Sequence, residues 1–71
     1  MEKKSYTLVQ FGKKLRAERV ACDVSQEKLA EKTKLSRNYI GSLERGEANP
    51  SLLTIEKVAK ALRVESWNLL R

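Results

Sequence analysis

Polar side chains that can hydrogen-bond the edges of nucleic-acid bases are grouped in the middle of this chain. Arg37 and Asn38 are adjacent, and Ser42 follows about one helical turn later. A guanidinium forks onto guanine and a carboxamide onto adenine, so these residue types can read base edges in the major groove. Ile40 and Leu43 lie between and after them at helical spacing, which predicts a helix with one buried face. We expect its exposed face to consist of Arg37, Asn38, Gly41 and Ser42.

A second short amphipathic helix precedes this one and is joined to it by a tight turn. Leu29 and Ala30 supply its apolar face, and Leu35 lies at the turn. Ser25 and Ser36 are the residue type that caps helix N-termini, so we expect helices over residues 26–33 and from Ser36 to about residue 45. Gly46 suits the left-handed conformation that ends a helix. This arrangement over residues 26–45 is a helix-turn-helix pattern.

The flanking sequence predicts further helices that would support this unit. Thr7 is the expected N-cap of a helix reaching Ala21, with an apolar stripe of Leu8, Phe11 and Leu15. After a turn at Asn49 and Pro50, with Pro50 near the first helical position, apolar residues recur at helical spacing over residues 51–62. They are Leu52, Ile55, Val58, Ala59 and Leu62. Residues 65–70 predict a last short helix, and no segment shows strand alternation. We expect one all-α domain of five helices, with residues 1–5 disordered.

The composition limits the classes of partner. The chain has 71 residues, with 15 Lys and Arg against 9 Asp and Glu, for a formal net charge of +6. Such a balance is either an ordinary solvated surface or an attraction to polyanions, and the polar helix face favours nucleic acid. No apolar run approaches the ~20 residues of a membrane span, and the N-terminus lacks the apolar region of a signal peptide. We expect a cytoplasmic protein without a membrane role.

Catalytic and metal chemistry find little support. The chain has no His and a single Cys, Cys22, so neither an internal disulfide nor a zinc site is expected. We interpret Cys22 as a small buried or half-buried apolar residue. Asp23 is the only Asp, the Glu residues are spread over helix surfaces, and no glycine-rich phosphate loop is present. We therefore predict that the chain is not an enzyme and has no cofactor, no metal and no small-molecule ligand.

Residues 26–46, read as QEKLAEKTKLSRNYIGSLERG, resemble the Xre/Cro, or lambda-repressor-like, helix-turn-helix family. The resemblance continues through Asn49, Pro50, Ser51 and Leu52 to Ala61 and Leu62, and includes residues 11–19, so it covers nearly the whole chain. The fragment RNYIGSLERG is most similar to small stand-alone regulators such as the controller proteins of restriction–modification systems. The resemblance implies a lambda-repressor-like fold that binds double-stranded DNA in its major groove.

The resemblance also implies a role for individual residues. Base edges would be contacted by Ser36, Arg37, Asn38 and Ser42. Phosphates would be contacted by Gln26, Tyr39, Arg45 and Asn49. Gln26 would also brace the recognition helix, which is the predicted helix from Ser36 to about residue 45. Helix N-termini favour anions, which independently supports Gln26. For Tyr39 an alternative is that its ring fills the gap between the two helices.

One residue pair is expected to serve the scaffold, and two further residues depart from the family pattern at turns. The resemblance implies a partly buried ion pair between Arg19 and Glu44 that ties the first helix to the third. Lys34 stands where the family usually has Gly at the turn, and Asp23 similarly replaces a common Gly. A residue other than Gly at positive φ costs about 1–2 kcal/mol, so the turn at Lys34 is expected either to be strained or to differ in geometry.

Three functions remain open at the level of sequence. The leading prediction is a homodimeric, sequence-specific transcription regulator that binds a two-fold symmetric operator, with a dimer surface drawn from Trp67, Leu69 and Leu70. The alternatives are a protein-interaction module, such as an antitoxin or coactivator, and the DNA-binding part of a longer regulator. Arg37, Asn38 and Arg45 favour DNA, because a module that binds only protein has no reason to display them together.

Overall fold

The computed structural model describes residues 5–70, which form helices joined by turns and loops and contain no strands. It contains α1 (Tyr6–Ala21), α2 (Gln26–Thr33), α3 (Arg37–Glu44) and α4 (Leu52–Leu62), followed by a 3₁₀ helix at Ser66–Leu69. The predicted all-α class is therefore confirmed, but the expected fifth α-helix over residues 65–70 is wrong, because this segment forms only one tight 3₁₀ turn. The disorder expected at residues 1–4 lies outside the described residues.

Each α-helix begins after a serine whose hydroxyl caps it. The Oγ atoms of Ser5, Ser25, Ser36 and Ser51 accept backbone N–H groups three residues ahead, over 3.3, 2.9, 3.0 and 3.1 Å respectively. These bonds satisfy donors that the first helical turn leaves without a partner. Two boundaries differ from the sequence prediction. Ser5, not Thr7, caps α1, so Ser5 belongs to ordered structure, and Pro50 precedes the cap of α4.

All four α-helices end in the same hydrogen-bonded turn, and glycine occupies its left-handed position in only one. Asp23, Lys34 and Arg63 have φ of 58°, 61° and 60°, whereas Gly46 has 76°. After α2, for example, Leu35 N–H donates to the Ala30 carbonyl over 3.1 Å, as in a Schellman motif. The left-handed conformation expected at Gly46 is therefore present. Of the two outcomes expected for Lys34, the turn keeps its geometry, because Lys34 takes a positive φ and the hydrogen bond of the motif still forms.

The core lies among all four α-helices and the 3₁₀ helix: α1 packs against α3 and the 3₁₀ helix, α2 against α3 and α4, and α4 against the 3₁₀ helix. Its fully buried side chains are Leu15, Leu29, Ile40, Leu43, Val58 and Leu69. Two sequence interpretations are wrong here. Leu52 was placed in the apolar stripe of α4 but is 77% exposed. Cys22 is exposed rather than buried, with its Sγ 3.5 Å from the Leu62 carbonyl.

Helices α1 and α3 touch backbone to backbone at Gly12. A Cβ at Gly12 would lie 2.5 Å from the carbonyl oxygens of Leu43 and Glu44, closer than real Cβ contacts. Any larger residue would therefore push α3 away from α1. This contact fixes the distance between the helix that carries Arg37 and Asn38 and the longest helix of the domain.

A buried ion pair ties the ends of three elements together. Arg19 Nε and Nη2 donate to the Glu44 carboxylate over 2.6 and 3.0 Å, and Arg19 Nη1 donates to the Val24 carbonyl over 2.8 Å. The hydrogen bond with Glu44 raises the pKa of Arg19 above its ordinary value. Gln26 Nε2 donates to the same carboxylate over 3.0 Å. The ion pair that the resemblance implied is therefore present, and it joins α1, α3 and the start of α2.

We expect Glu44→Ala to lower the free energy of unfolding by about 3–5 kcal/mol, because it leaves the Arg19 guanidinium buried without its carboxylate. The Glu44 side chain is only 4% exposed and that of Arg19 12%, so water cannot replace the lost bonds fully. Urea unfolding followed by circular dichroism measures the change. Glu56→Ala is the matched control, since Glu56 is exposed and its substitution should change stability by less than about 0.5 kcal/mol. Equal losses in the two variants would contradict the structural role of the pair.

Candidate nucleic-acid interface

The outer face of α3 presents two of the predicted base readers to solvent. Arg37 and Asn38 are exposed in its first turn, and the capping Ser36 is exposed beside them. Ser42 is only partly exposed, and its hydroxyl donates to the Tyr39 carbonyl over 2.9 Å. Gly41, expected on the exposed face, is buried, since the Arg45 side chain folds back over it.

Arg37 is held near α2 by a contact that the sequence did not reveal. Its Nε lies 3.6 Å from Glu27 Oε2, and both side chains are more than half exposed. Exposed pairs of this kind contribute about 0–1 kcal/mol. The contact therefore orients the guanidinium without fixing it, and leaves it able to turn to a stronger acceptor. No spacing rule links residues 27 and 37, because they meet only when α3 packs across the first turn of α2.

Gln26 is the first residue of α2 and is partly buried. Its amide donates to Glu44 over 3.0 Å, so the expected bracing of the recognition helix has a defined geometry. The bond uses one donor of the carboxamide and leaves the second N–H for another partner. The phosphate contact of Gln26 stays a prediction.

The other three predicted phosphate contacts lie within α3, at its end and in the loop that follows it. Arg45 caps the end of α3 and pairs with Glu47 over 3.0 Å, while Asn49 is exposed in the loop that follows. The Tyr39 ring is partly buried against the core. This packing supports the alternative that Tyr39 fills the gap between helices, and its contact with phosphate stays a prediction.

The apolar C-terminal residues divide between core and surface. Trp67 and Leu70 are 60% and 50% exposed, whereas Leu69 is 1% exposed and packs in the core of its own chain. Leu69 was expected at the dimer surface, but the 3₁₀ turn directs it inward and leaves no side-chain area for a partner. Trp67 and Leu70 remain available to a second copy.

The described part of the chain contains neither a metal-binding cluster nor a membrane-spanning helix. Residues 5–70 contain no group of three or more His, Cys, Asp or Glu side chains that could hold a metal ion. They also contain no helix long and apolar enough to cross a lipid bilayer. What the described residues do assemble is a short helix with an arginine and an asparagine on its outer face.

Comparison with known proteins places this geometry in a family. The family model HTH_3, described as helix-turn-helix, matches residues 15–66. The control protein C.BamHI of Bacillus amyloliquefaciens is 49% identical over 61 residues, which cover 84% of this chain and 75% of that protein. The restriction–modification controller protein C.AhdI of Aeromonas hydrophila superposes with a TM-score of 0.85 at 48% identity, covering 87% of this chain and 94% of that one.

A third relative is known in complex with DNA. The controller protein C.Esp1396I, solved as a tetramer with its natural 35-base-pair operator, has a TM-score of 0.83 at 29% identity. The superposition covers 92% of this chain and 86% of that protein. Because the family model spans most of the chain, and both sequence and fold agree with these relatives, this chain belongs to the Xre/Cro-like helix-turn-helix family, HTH_3.

Proposed function

We propose that this protein is a sequence-specific, double-stranded DNA-binding transcription regulator of the restriction–modification controller type, which acts as a homodimer in the cytoplasm. The observation that carries the proposal is the exposure of Arg37 and Asn38 on the first turn of α3, while Glu44 at its other end is locked to Arg19. Base recognition in the major groove requires a helix that the rest of the domain holds in place and that exposes base-contacting side chains on its outer face. The relatives named as controller proteins support the assignment.

The hydrogen-bonding capacity of each side chain suggests what it reads. Arg37 can donate two bonds to guanine, and Asn38 can pair with adenine through one donor and one acceptor. The Ser42 hydrogen is used in the bond to Tyr39, so its oxygen is left to accept, for example from a cytosine or adenine amino group. Gln26, Arg45 and Asn49 would hold phosphates and so set the register without reading sequence.

A homodimer follows from the small number of base contacts that one copy offers. Each good bidentate pair discriminates by only about 1–3 kcal/mol, so two copies roughly double the specificity. Related by a two-fold axis, they would contact half-sites about 34–36 Å apart. The C.Esp1396I structure, a tetramer on its operator, supports multiple copies on one site. Trp67 and Leu70 are the proposed contacts between copies.

The proposal is tested by selecting binding sites from random duplex DNA with the purified protein. The expected result is a two-fold symmetric consensus that binds at least about 10³-fold tighter than a scrambled duplex at physiological salt. A consensus with no symmetry would contradict the proposed homodimer but would still support sequence-specific DNA binding. Enrichment of no sequence, with only weak salt-sensitive binding, would favour the rival protein-interaction module.

Arg37→Ala should weaken binding to the selected site by about 1–3 kcal/mol and relax the preference at one base position, because it removes a bidentate contact. Fluorescence anisotropy on the consensus and its single-base variants measures both effects. Arg45→Ala is the comparison. It should weaken all duplexes about equally and reduce the slope of log K against log salt by about one, as loss of a phosphate contact does. Equal losses for Arg37→Ala on consensus and random DNA would remove Arg37 from the base readers.

Leu70→Ser should raise the dimer dissociation constant by about tenfold or more, since a side chain that is 50% exposed in one copy would be buried between two. Sedimentation equilibrium measures this constant without DNA. Val20→Ser is the matched control, because Val20 is exposed on α1 to a similar extent, 58%. If both variants dimerise as the original protein does, the dimer surface lies elsewhere.

A further inference from the structure

A second cationic surface lies away from α3. Lys32 at the end of α2, Lys57 and Lys60 on α4, and Arg63 in the turn after α4 line one shallow depression together with Ala61. A neighbouring depression shares Lys57 and Lys60 and adds Leu53 and Glu56. We call the combination of Lys32, Leu53, Lys57, Lys60 and Arg63 the α2–α4 surface.

The positive charge of this surface is not balanced within residues 5–70. Arg19, Lys28, Arg37 and Arg45 each form an ion pair, but none of the cations of the α2–α4 surface does. Glu31, next to Lys32 in the sequence, is bonded to Lys28 over 2.9 Å, and Lys32 adds only a weaker attraction to this carboxylate. Glu56 is the one carboxylate that lines either depression. An acidic ligand is therefore the complementary partner.

An exposed leucine distinguishes this surface from a simple phosphate-binding patch. Leu53 is 74% exposed and lies one helical turn before Lys57 on the same side of α4. A phosphate backbone gains nothing from an apolar side chain, whereas protein interfaces use apolar anchors ringed by polar groups. We propose that the α2–α4 surface docks an acidic segment of a partner protein, with an apolar side chain of that segment against Leu53 and its carboxylates on the surrounding lysines and arginine.

The position of this surface leaves it separate from the proposed DNA contacts. Gln26 is in the first turn of α2, whereas Lys32 is in the last, about 9 Å further along the helix axis. None of the five residues is on α3 or in the loop that carries Asn49. The partner can therefore be tested independently of the proposed function, because operator binding and partner binding are read from different residues.

The test uses a synthetic peptide of glutamates with leucines at helical spacing, titrated into the ¹⁵N-labelled protein at low salt. The expected result is a set of amide shifts at the α2–α4 surface and not on α3. The double variant Lys57→Glu, Lys60→Glu should lower the affinity for the peptide by about tenfold or more, because two attractions become repulsions. It should change operator affinity by less than about twofold. The double variant Lys13→Glu, Lys14→Glu carries the same charge change on exposed α1 positions and should leave peptide affinity within about twofold.

Leu53→Ser tests the apolar part of the proposal and should reduce peptide affinity by about fivefold without changing the dimer dissociation constant. The proposal is overturned if leucine-free polyglutamate binds as tightly as the mixed peptide, or if the shifts concentrate on α3. It is also overturned if Lys57→Glu, Lys60→Glu abolishes duplex binding, which would make the surface a phosphate contact. Dissociation of the dimer by Leu53→Ser would assign Leu53 to a second copy of this chain instead.

Discussion

The Glu44 carboxylate is the constraint on which the rest of the domain depends. It is nearly buried at the end of α3 and accepts hydrogen bonds from Arg19 on α1 and Gln26 on α2. A buried charge is tolerable only when its partners are in place, so small displacements of either helix are unfavourable. The orientation of α3 relative to the first turn of α2 is therefore set by directional bonds as well as by apolar packing, which alone would permit sliding.

The short helices need this support. Helices α2 and α3 have eight residues each, well below the length at which isolated helices are stable in water. Serine caps at one end and Schellman turns at the other satisfy the backbone groups that so short a helix leaves unpaired. At Lys34 the turn forms without glycine. Lys34 adopts a left-handed backbone conformation, and the packing of the following Leu35 against the core helps to stabilise this turn.

Most helix boundaries could be predicted from local chemistry, and the Arg19–Glu44 pair from the family resemblance, whereas other contacts between helices could not be predicted. Ser25, Ser36 and Gly46 are local signals, and the structure confirms each of them as a helix boundary. Thr7 is the predicted cap of α1, but the helix begins at Tyr6 and Ser5 caps it. The contact of Glu27 with Arg37 could not be predicted, since it depends on the crossing of two helices. Leu69 is buried because the chain turns as a 3₁₀ helix, a choice that its apolar pattern alone does not make.

The contact at Gly12 has a consequence for how such a protein can change its target. Because backbone rests on backbone there, no side chain larger than hydrogen fits at this contact, and substitution of Gly12 would displace α3 from α1. The positions that face outward, Arg37 and Asn38, contact nothing in the core. The residues that hold α3 in place are therefore different from the residues on its outer face. Under the proposed function, new operator preferences would arise by replacing one or two of these outward side chains while the fold that carries them stays the same.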